Sequence, residues 1–343
     1  MIRQAFLTTE AKKSDLEIKA GEDAELSPLE RSILRAVTYA DVFDFPLTAE
    51  EIQRNLVSYV ATEGEVQHAL NGQQLVPDYL ENHNRYFTLP GRRQIIEQRR
   101  LRSDANAALW ERADYYGQLI AQLPFVRMVA VTGALAVNNA RPGDDIDYLI
   151  VTEPGRLWLC RAFVILLVKR AAEQGDLICP NYFLSERALA LPERDLFTAH
   201  ELLQMVPVAG FRVYQRMLAL NDWACGLLPT ALPKLEADNN EFQKDGPDSG
   251  LLEKILRLRP ADLLERWEMK RKISRFNEQK ARSWPYSSEQ SNYNLSRSDI
   301  DKDHVDLIEL SFSADRCKGH FDLHGQNTLN SYETQLYLMD REQ

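Results

Sequence analysis

The sequence has little of what membrane, secreted or nucleic-acid-coating proteins need. Its longest apolar run, residues 157–168, is interrupted by Arg161 and is too short to span a bilayer. The N-terminus is polar, and no cleavable signal segment precedes Lys12 and Lys13. Basic residues number 41 against 51 acidic ones, and the net charge of −10 argues against a general nucleic-acid coat protein, because phosphate contact needs clustered Lys and Arg. We therefore expect a soluble, cytoplasmic protein without a membrane partner.

Cysteine is also scarce. The four cysteines stand at positions 160, 179, 225 and 317 and show no Cys-x-x-Cys spacing. They lie within or beside apolar runs, which is typical of reduced, buried thiols in the cytosol. The cysteines therefore predict neither a disulfide framework nor a common zinc module.

Helix-start signals organise the first part of the chain. Residues 1–25 are polar and charged, and we expect them to form a flexible leader. Order is predicted to begin at Ser27, a helix cap followed by a proline in the first turn. A second helix is predicted from Thr48 to about residue 56 and a third from Thr62 to about residue 74.

Two short strands, 76–80 and 85–89, are predicted to follow these helices and to flank a turn. Three helices and a hairpin indicate a winged helix over residues 26–91. Its third helix carries no Lys or Arg, and the whole segment has four basic residues against nine acidic ones. Such a surface repels DNA, so a protein-binding or interdomain role is favoured over duplex recognition.

Five arginines are concentrated at 92–102, within residues 92–123, which are predicted to form linking helices. They are Arg92, Arg93, Arg99, Arg100 and Arg102. Two readings stay open: contact with a polyanionic substrate or triphosphate, or a solvated helix face paired with Glu97.

The most informative stretch joins an apolar run ending at Gly133 to a second apolar run headed by Asp145 and Asp147. Residues i and i+2 of a strand point to the same side, so the two carboxylates share a face and Ile146 turns into the core. Two carboxylates this close repel each other unless a cation lies between them, and Mg²⁺ takes oxygen ligands of this kind. A glycine just before the pair lets backbone N–H groups approach a triphosphate closely. The stretch therefore predicts a metal and phosphate site.

This pattern resembles the signature of the nucleotidyltransferase superfamily typified by DNA polymerase beta. The family pattern is Gly-Ser or Gly-Gly, about nine to thirteen residues, and then two acids that alternate with apolar residues. The resemblance implies a nucleotidyltransferase α/β sheet core at residues 124–192. It implies Mg²⁺, or Mn²⁺, held by Asp145 and Asp147, and an NTP as donor. Ala134 stands where the family usually has Ser, so a hydroxyl contact to phosphate is replaced by the backbone N–H alone.

The resemblance also implies further site residues. Those expected to bind the nucleotide are Thr132, Gly133, Ala134, Asn138, Arg156 and Arg161. For Arg161, snorkelling from a buried helix or pairing with an acid is the slightly favoured alternative. Active family members use a third catalytic carboxylate on a later strand, but the strand predicted at 177–184 contains no acid. Asp176 is taken as that carboxylate; Glu186 is a second candidate, and Asn181 lies in mid-strand.

Helical patterns predict a subdomain at 193–234, a linker at 235–250 and a helical region at 251–343 that contains a short strand-turn-helix unit. Residues 194–228 are expected to be helical, and the strand of the last unit is expected at 305–312. A helix at 251–280 is expected to present one apolar face, which includes Leu263, Leu264, Trp267 and Ile273. In the subdomain, His200 and Glu201 could reach the site, although a histidine beside an apolar stripe is more often structural. Residues 221–223 admit ligand contact or packing, with packing favoured.

The last unit contains Cys317, His320, Asp322 and His324. These residue types can ligate a transition metal, but their spacing matches no common zinc module. Two other interpretations stay open. Lys318 and the histidines could contact substrate phosphate, or the segment could be a structural turn.

Together the features predict an α+β protein with an N-terminal winged helix, a central nucleotidyltransferase α/β sheet domain and a helical C-terminal region. The predicted function is Mg²⁺-dependent transfer of a nucleoside monophosphate from an NTP to an acceptor, which is a small molecule, RNA or protein. The alternative is a catalytically degenerate, nucleotide-sensing regulator that acts through its winged helix on a protein partner or DNA. The sequence does not name the acceptor or the preferred base.

Overall fold

The structure is a computed structural model, and it describes residues 26–231, 251–257, 259–283, 312–318 and 324–341. The leader predicted at 1–25 and the linker predicted at 235–250 lie outside these residues. Of the strand predicted at 305–312, only Phe312 is described, and it forms an isolated bridge to Cys317.

Helices and strands give a mixed α+β architecture. The described helices are α1 (Pro28–Asp41), α2 (Ala49–Arg54), α3 (Glu63–Leu70), α4 (Gln94–Ala121), α5 (Gly133–Ala136), α6 (Leu157–Glu173), α7 (Leu196–Gln204), α8 (Phe211–Leu220), α9 (Trp223–Leu227), α10 (Leu251–Leu256), α11 (Arg259–Ser283) and α12 (His324–Arg341). The described strands are β1 (Glu81–His83), β2 (Tyr86–Thr88), β3 (Val126–Val131), β4 (Ile146–Thr152), β5 (Ile178–Ser185), β6 (Val206–Ala209) and β7 (Arg316–Lys318). Among these helices none is both long enough and apolar enough to cross a membrane.

Five strands form one sheet in the order β6-β3-β4-β5-β7. Strands β4 and β5 are parallel, and the other neighbours are antiparallel. Helices α4, α6 and α11 pack on one face, against strand residues such as Tyr148 and Phe183. Helices α7, α8 and α9 pack on the other face, against Leu149 and Leu184. Because β4 is central, its alternate side chains are directed to the two faces.

The N-terminal unit, residues 26–91, contains the three predicted helices and a hairpin. Each helix begins with a capping box, in which a Ser or Thr hydroxyl and a Glu carboxylate satisfy each other's backbone N–H groups. The pairs are Ser27 with Glu30, Thr48 with Glu51, and Thr62 with Glu65. Buried aliphatic residues from all three helices then form a separate core. The second and third helices end earlier than predicted, at Arg54 and Leu70.

The first strand of the hairpin was predicted wrongly. Residues 76–80 form turns, in which the N–H groups of Tyr79 and Leu80 both donate to the carbonyl of Leu75. The strand is instead Glu81–His83, a segment predicted to be the turn. Leu75 and Leu80 are both fully buried, so the compact turn buries these side chains as completely as a strand would.

Residues 94–121 form one continuous helix, α4, and arginines in and just before it anchor the N-terminal unit. Arg99 makes a bidentate ion pair with Glu51, at 2.6 and 2.8 Å, and its guanidinium lies over the rings of Phe45 and Tyr86. Just before the helix, Arg92 pairs with Asp41 at 2.8 Å.

The remaining three arginines of this group differ in burial. Arg102 is buried and donates to the backbone of Asp44 at 3.2 Å. Arg93 and Arg100 are exposed, and Arg100 pairs with Glu97. The solvated-face reading therefore describes two of the five arginines, and the other three hold the N-terminal unit against α4.

Strand β6 was not predicted, because residues 194–228 were expected to be helical throughout. It pairs with β3 and forms the edge of the described sheet. Gly210 follows it with φ +76°, and a Cβ there would lie 2.0 Å from the carbonyl oxygen of Arg127. The turn into α8 thus requires a residue without a side chain.

Helix α11 turns only part of its predicted apolar face to the core, where Ile273 packs. Leu263, Leu264 and Trp267 are exposed, whereas Glu265 and Glu268 are buried. The carboxylate of Glu265 accepts hydrogen bonds from the N–H groups of Trp158 and Leu159, at 2.8 and 2.7 Å. These N–H groups begin α6 and have no intrahelical partner, so a buried carboxylate satisfies them better than an apolar side chain would.

Helix α12 contacts both the sheet domain and the N-terminal unit. Its first turn lies against α7, where Gly325 packs on the ring of Phe197. Further along, Tyr332 packs edge-on against Tyr39 of α1, with 5.7 Å between ring centroids. Gln335 donates to Asp41 at 3.4 Å.

Replacing Arg99 with alanine should lower the free energy of unfolding by about 1–3 kcal/mol, because Glu51 would lose its bidentate partner. Arg100→Ala is the matched control on the same helix, and we expect it to change stability by less than about 0.5 kcal/mol, since its ion pair is exposed. Denaturant unfolding of both variants measures the difference. Equal effects would show that Arg99 does not anchor the N-terminal unit.

Candidate metal centre

The two carboxylates predicted to bind metal stand at the head of β4. Asp147 is half-buried and Asp145, just before the strand, is exposed. Between and after them, Ile146 and Tyr148 are buried on the opposite face, and the Tyr148 hydroxyl donates to the carbonyl of Ala113 at 2.6 Å. The anchoring of these apolar neighbours fixes the direction in which the carboxylates project.

Gly133 lies directly against Asp147. The N–H of Thr132 donates to the carbonyl oxygen of Asp147 at 3.0 Å, which joins the end of β3 to β4. Gly133 then turns with φ +66°, and a Cβ at this position would lie 2.6 Å from Oδ2 of Asp147. Only glycine combines that backbone conformation with so close an approach to the carboxylate.

Cys179 is the third member of the site, and it was not predicted from the sequence. It is the registered partner of Asp147 in the parallel pairing of β4 with β5. One ligand atom from each of Asp145, Asp147 and Cys179 lies within 4.8 Å of the others. Burial and the two neighbouring carboxylates raise the pKa of the Cys179 thiol far above its usual value. The protonated thiol therefore coexists with the carboxylates in the absence of a cation.

A cavity of about 380 Å³ opens beside the carboxylate pair. Its lining combines polar and charged groups with apolar side chains, several of them from α7 or next to it. The polar and charged lining residues are Thr132, Asp145, Asp147, Asn181, Glu193, Thr198, Glu201, Lys318 and His324. The apolar and aromatic lining residues include Leu149, Tyr182, Leu191, Phe197, Leu202, Met205 and Met217. The volume suits a small ligand or part of a nucleotide.

Glu201 adds a carboxylate to this cavity from helix α7. Burial, and secondly the negative charge of Asp147, raise the pKa of Glu201 to about 7, while Lys318 opposes the shift. A carboxyl group with this pKa exchanges a proton near neutral pH. Its neighbour His200 is turned away, buried and stacked on the ring of Tyr39 at 4.0 Å between centroids. Of these two neighbouring residues in α7, only Glu201 lines the cavity.

Several predicted site residues are not brought to the cavity. The carboxylate of Asp176 accepts a hydrogen bond from the Tyr116 hydroxyl at 2.6 Å and pairs with Arg112 at 3.1 Å. Asp176 is therefore engaged with α4 and belongs neither to the acid–thiol cluster nor to the cavity lining. Glu186, beyond the end of β5, also lies outside the lining.

Both predicted arginines lie on the other face of the sheet. Arg156 pairs with Asp262 of α11 at 2.6 Å. Arg161 lies over the rings of Phe183 and Phe276, in the core formed with α6 and α11. The structure thus fits the alternative stated for Arg161, a basic side chain on a buried helix. Lys318 is the basic residue that reaches the cavity instead.

Of the remaining predicted residues, Ala134 lies beside Gly133, whereas Asn138 and Asn221 are engaged elsewhere. Asn138 has φ +57° and accepts a hydrogen bond from the Trp110 indole at 2.8 Å, outside the cavity lining. Ala134 is exposed in the first turn of α5, next to Gly133. Asn221 is buried and bonds to backbone groups and to Trp223, so it has a packing role.

The C-terminal cluster of potential ligands is divided by the sheet. Cys317 is fully buried in the core with Phe183, whereas Lys318 and His324 line the cavity on the opposite face. His320 and Asp322 lie outside the described residues. Cys317 and His324 therefore do not share a metal site, and the arrangement is compatible with substrate contact by Lys318 and His324.

Gly133→Ala should displace the Asp147 carboxylate and weaken metal binding by more than about tenfold, because the new Cβ and Oδ2 cannot occupy the same space. Gly143→Ala is the matched control: Gly143 also has positive φ, but nothing lies within 4 Å of the point that its Cβ would occupy. Both variants carry about 1–2 kcal/mol of backbone strain. Titration calorimetry with Mn²⁺ separates them, and equal affinity of the two variants would refute the contact argument.

Glu201→Gln should reveal the raised pKa of Glu201 through the pH dependence of stability. The folded protein binds the Glu201 proton up to about pH 7, whereas the unfolded chain releases it near pH 4.5. Wild-type stability should therefore fall relative to Glu201→Gln as the pH rises from 4.5 to 7, by roughly 1–3 kcal/mol. Denaturant unfolding of the metal-free proteins at several pH values measures the difference. A difference that is constant over this interval would contradict the assignment.

Comparisons with protein-family models, with curated proteins and with solved structures returned no match for this chain. The resemblance carried by Gly133, Asp145 and Asp147 therefore stays a prediction. The geometry of the cavity and its charged groups are the features that bear on function.

Proposed function

We propose that the protein is a cytoplasmic, Mg²⁺-dependent nucleotidyltransferase that moves a nucleoside monophosphate from an NTP to an acceptor. The observation that carries the proposal is the carboxylate pair of Asp145 and Asp147 at the side of a cavity, with Asp147 directly against Gly133. In this proposal residues 26–91 are a winged helix and the five-stranded sheet is the core of a nucleotidyltransferase domain.

The donor set and its surroundings fit a divalent cation. Asp145 and Asp147 offer carboxylate oxygens on one face of the sheet, and both line the cavity. Oxygen ligands that leave positions open for phosphate oxygens are what Mg²⁺ requires. A bound Mg²⁺ would supply alignment of the acceptor hydroxyl and neutralisation of the charge that develops on the α-phosphate and on the leaving pyrophosphate.

The protein's own groups have separate tasks in this proposal. The backbone at Gly133 and Ala134, free of bulky side chains, receives the β- and γ-phosphates. Lys318 supplies positive charge to the cavity, where the sequence had suggested Arg156 or Arg161. The apolar lining residues, such as Phe197 and Met217, exclude water and pack against the organic part of a substrate.

Glu201 replaces Asp176 as the proposed proton acceptor. It faces the same cavity as the carboxylate pair, whereas Asp176 is held by Tyr116 and Arg112. Burial is the main cause of its raised pKa, and a carboxylate with a raised pKa accepts a proton from the acceptor hydroxyl more readily than an ordinary one.

A second candidate function is a nucleotide-sensing regulator without turnover. It is favoured by a direct connection between the loop that precedes Asp145 and the N-terminal unit. Asn139 in this loop donates to the carbonyl of Phe43 at 2.9 Å, and Arg141 pairs with Asp44 at 3.3 Å. Cys179 in place of an acid on β5 also favours this candidate. Because the N-terminal unit is acidic, its partner in this case would be a protein rather than DNA.

Asp147→Asn should weaken Mg²⁺-dependent NTP binding by more than about tenfold, or about 1.4 kcal/mol. It should change the melting temperature of the metal-free protein by less than about 3 °C, because it removes one of two repelling charges. Asp144→Asn is the control, since Asp144 instead accepts a hydrogen bond from the N–H of Arg141 at 2.7 Å.

Titration calorimetry with each of the four NTPs, with and without Mg²⁺, makes this comparison. Binding by wild type that Asp147→Asn loses and Asp144→Asn keeps would support the proposal. Binding that survives in Asp147→Asn, or no binding by wild type, would overturn it. Release of pyrophosphate on addition of acceptors then separates the transferase from the sensor.

A further inference from the structure

The sulfur of Cys179 gives the metal centre a donor that Mg²⁺ does not use. We infer that Asp145, Asp147 and Cys179 form a mixed oxygen–sulfur site that binds Zn²⁺, or another thiophilic divalent cation, more tightly than Mg²⁺. The inference rests on the metal site of the proposed function and adds to it the class of cation. It does not depend on nucleotide binding or on turnover.

The pairing of two strands places the sulfur where a third ligand is needed. Cys179 is the neighbour of Asp147 in the parallel ladder, so both side chains project from the same face of the sheet. The register then shifts, since Leu149 pairs with Tyr182 and β5 contains one more residue than β4 over this interval. The irregularity follows Cys179 directly and therefore leaves its alignment with Asp147 intact.

The distances fit a single ion. The three ligand atoms lie within 4.8 Å of one another, and ligands at roughly 2.0–2.3 Å from one Zn²⁺ reach this span with small side-chain rotations. The backbone of Asp147 is held by the hydrogen bond from Thr132, and the missing side chain at Gly133 leaves room for its carboxylate. Asp145 and Asp147 both line the cavity, which provides an entry path and an open position for a fourth ligand such as water.

Ligand chemistry decides which cation is preferred. Carboxylate oxygens serve Mg²⁺ and Zn²⁺ alike, whereas a thiolate strongly favours Zn²⁺, Co²⁺ or Cd²⁺. On binding, the cation takes the sulfur as thiolate and the thiol proton leaves to solvent, so charge and atoms balance. Mg²⁺ in the same place gains nothing from the sulfur.

Cobalt is a suitable probe, because Co²⁺ takes the same ligands as Zn²⁺ and absorbs light. The experiment titrates Co²⁺ into the reduced full-length protein without nucleotide and records the visible ligand-field bands and the near-ultraviolet sulfur-to-cobalt band. Cys179→Ser keeps the size of the side chain and removes the thiolate. Cys225→Ser is the matched control, because Cys225 is exposed and lies in α9, away from the cluster.

We expect wild type and Cys225→Ser to show both sets of bands, and Cys179→Ser to lose the sulfur-to-cobalt band. Competition with Zn²⁺ should give a dissociation constant at least about tenfold higher for Cys179→Ser than for wild type, while Mg²⁺ affinity stays unchanged. An unchanged melting temperature of metal-free Cys179→Ser shows that the fold is retained.

Each of the other outcomes would reject either the thiolate ligand alone or the whole metal site. Ligand-field bands without a sulfur-to-cobalt band in wild type would reject the thiolate ligand and leave the carboxylate metal site standing. A sulfur-to-cobalt band that persists in Cys179→Ser would assign it to another cysteine and also reject the inference. No Co²⁺ binding by wild type would reject both this inference and the metal site of the proposed function.

Discussion

The close approach of the Asp147 carboxylate to the backbone of Gly133 is the constraint on which the site depends. A carboxylate oxygen 2.6 Å from the point that a Cβ would occupy leaves no room for a side chain, so the turn after β3 and the head of β4 must fit each other. Thr132 closes the same junction with a backbone hydrogen bond to Asp147. The fold thus places the carboxylate of Asp147, close to that of Asp145, at a position fixed by β3 and β4, and a cation between two such like charges relieves their repulsion.

Buried carboxylates elsewhere in the protein show a different solution. Glu253 accepts a hydrogen bond from the N–H of Phe125 and pairs with Arg127 of β3 and Arg257. These partners hold the pKa of Glu253 below its usual range despite its burial. Glu265 is likewise satisfied by the first N–H groups of α6. Such pairings join α10 to β3 and α11 to α6, whereas the cavity gathers carboxylates with a single lysine among its lining residues.

The sequence predicted the parts of this structure that depend on neighbouring residues. Capping boxes located the starts of three helices, and the spacing of Asp145 and Asp147 predicted that both would face one site, as they do at the cavity, although only Asp147 lies within β4. The missed parts depend on distant pairing. Cys179 is recognisable only when β4 and β5 are in register, whereas from the sequence Asn181 drew attention because it lies in mid-strand. Arg156 and Arg161 were misplaced because sequence does not tell on which face of the sheet α6 packs. Strand β6 and the core-facing side of α11 were also missed, because their partners are distant in the sequence.

Strand β6 has four residues, contains Pro207 and lies between two helices, so its pattern carries little signal of its own. In α11 Leu263, Leu264 and Trp267 are exposed, and the core-facing side meets a helix terminus that needs carboxylates. There the hydrogen-bonding demand of α6 outweighs the hydrophobic pattern of α11.

Helix α12 has a consequence for how binding energy can be distributed. Its 18 residues span about 27 Å, with His324 at the cavity and Gln335 hydrogen-bonded to α1 of the N-terminal unit. Because α12 is one continuous helix, its two ends move together. A ligand that shifts its first turn therefore also changes the free energy of its contacts with α1. By thermodynamic linkage the relation is reciprocal, and a partner that loosens the N-terminal unit from α12 alters the affinity of the cavity by the same factor.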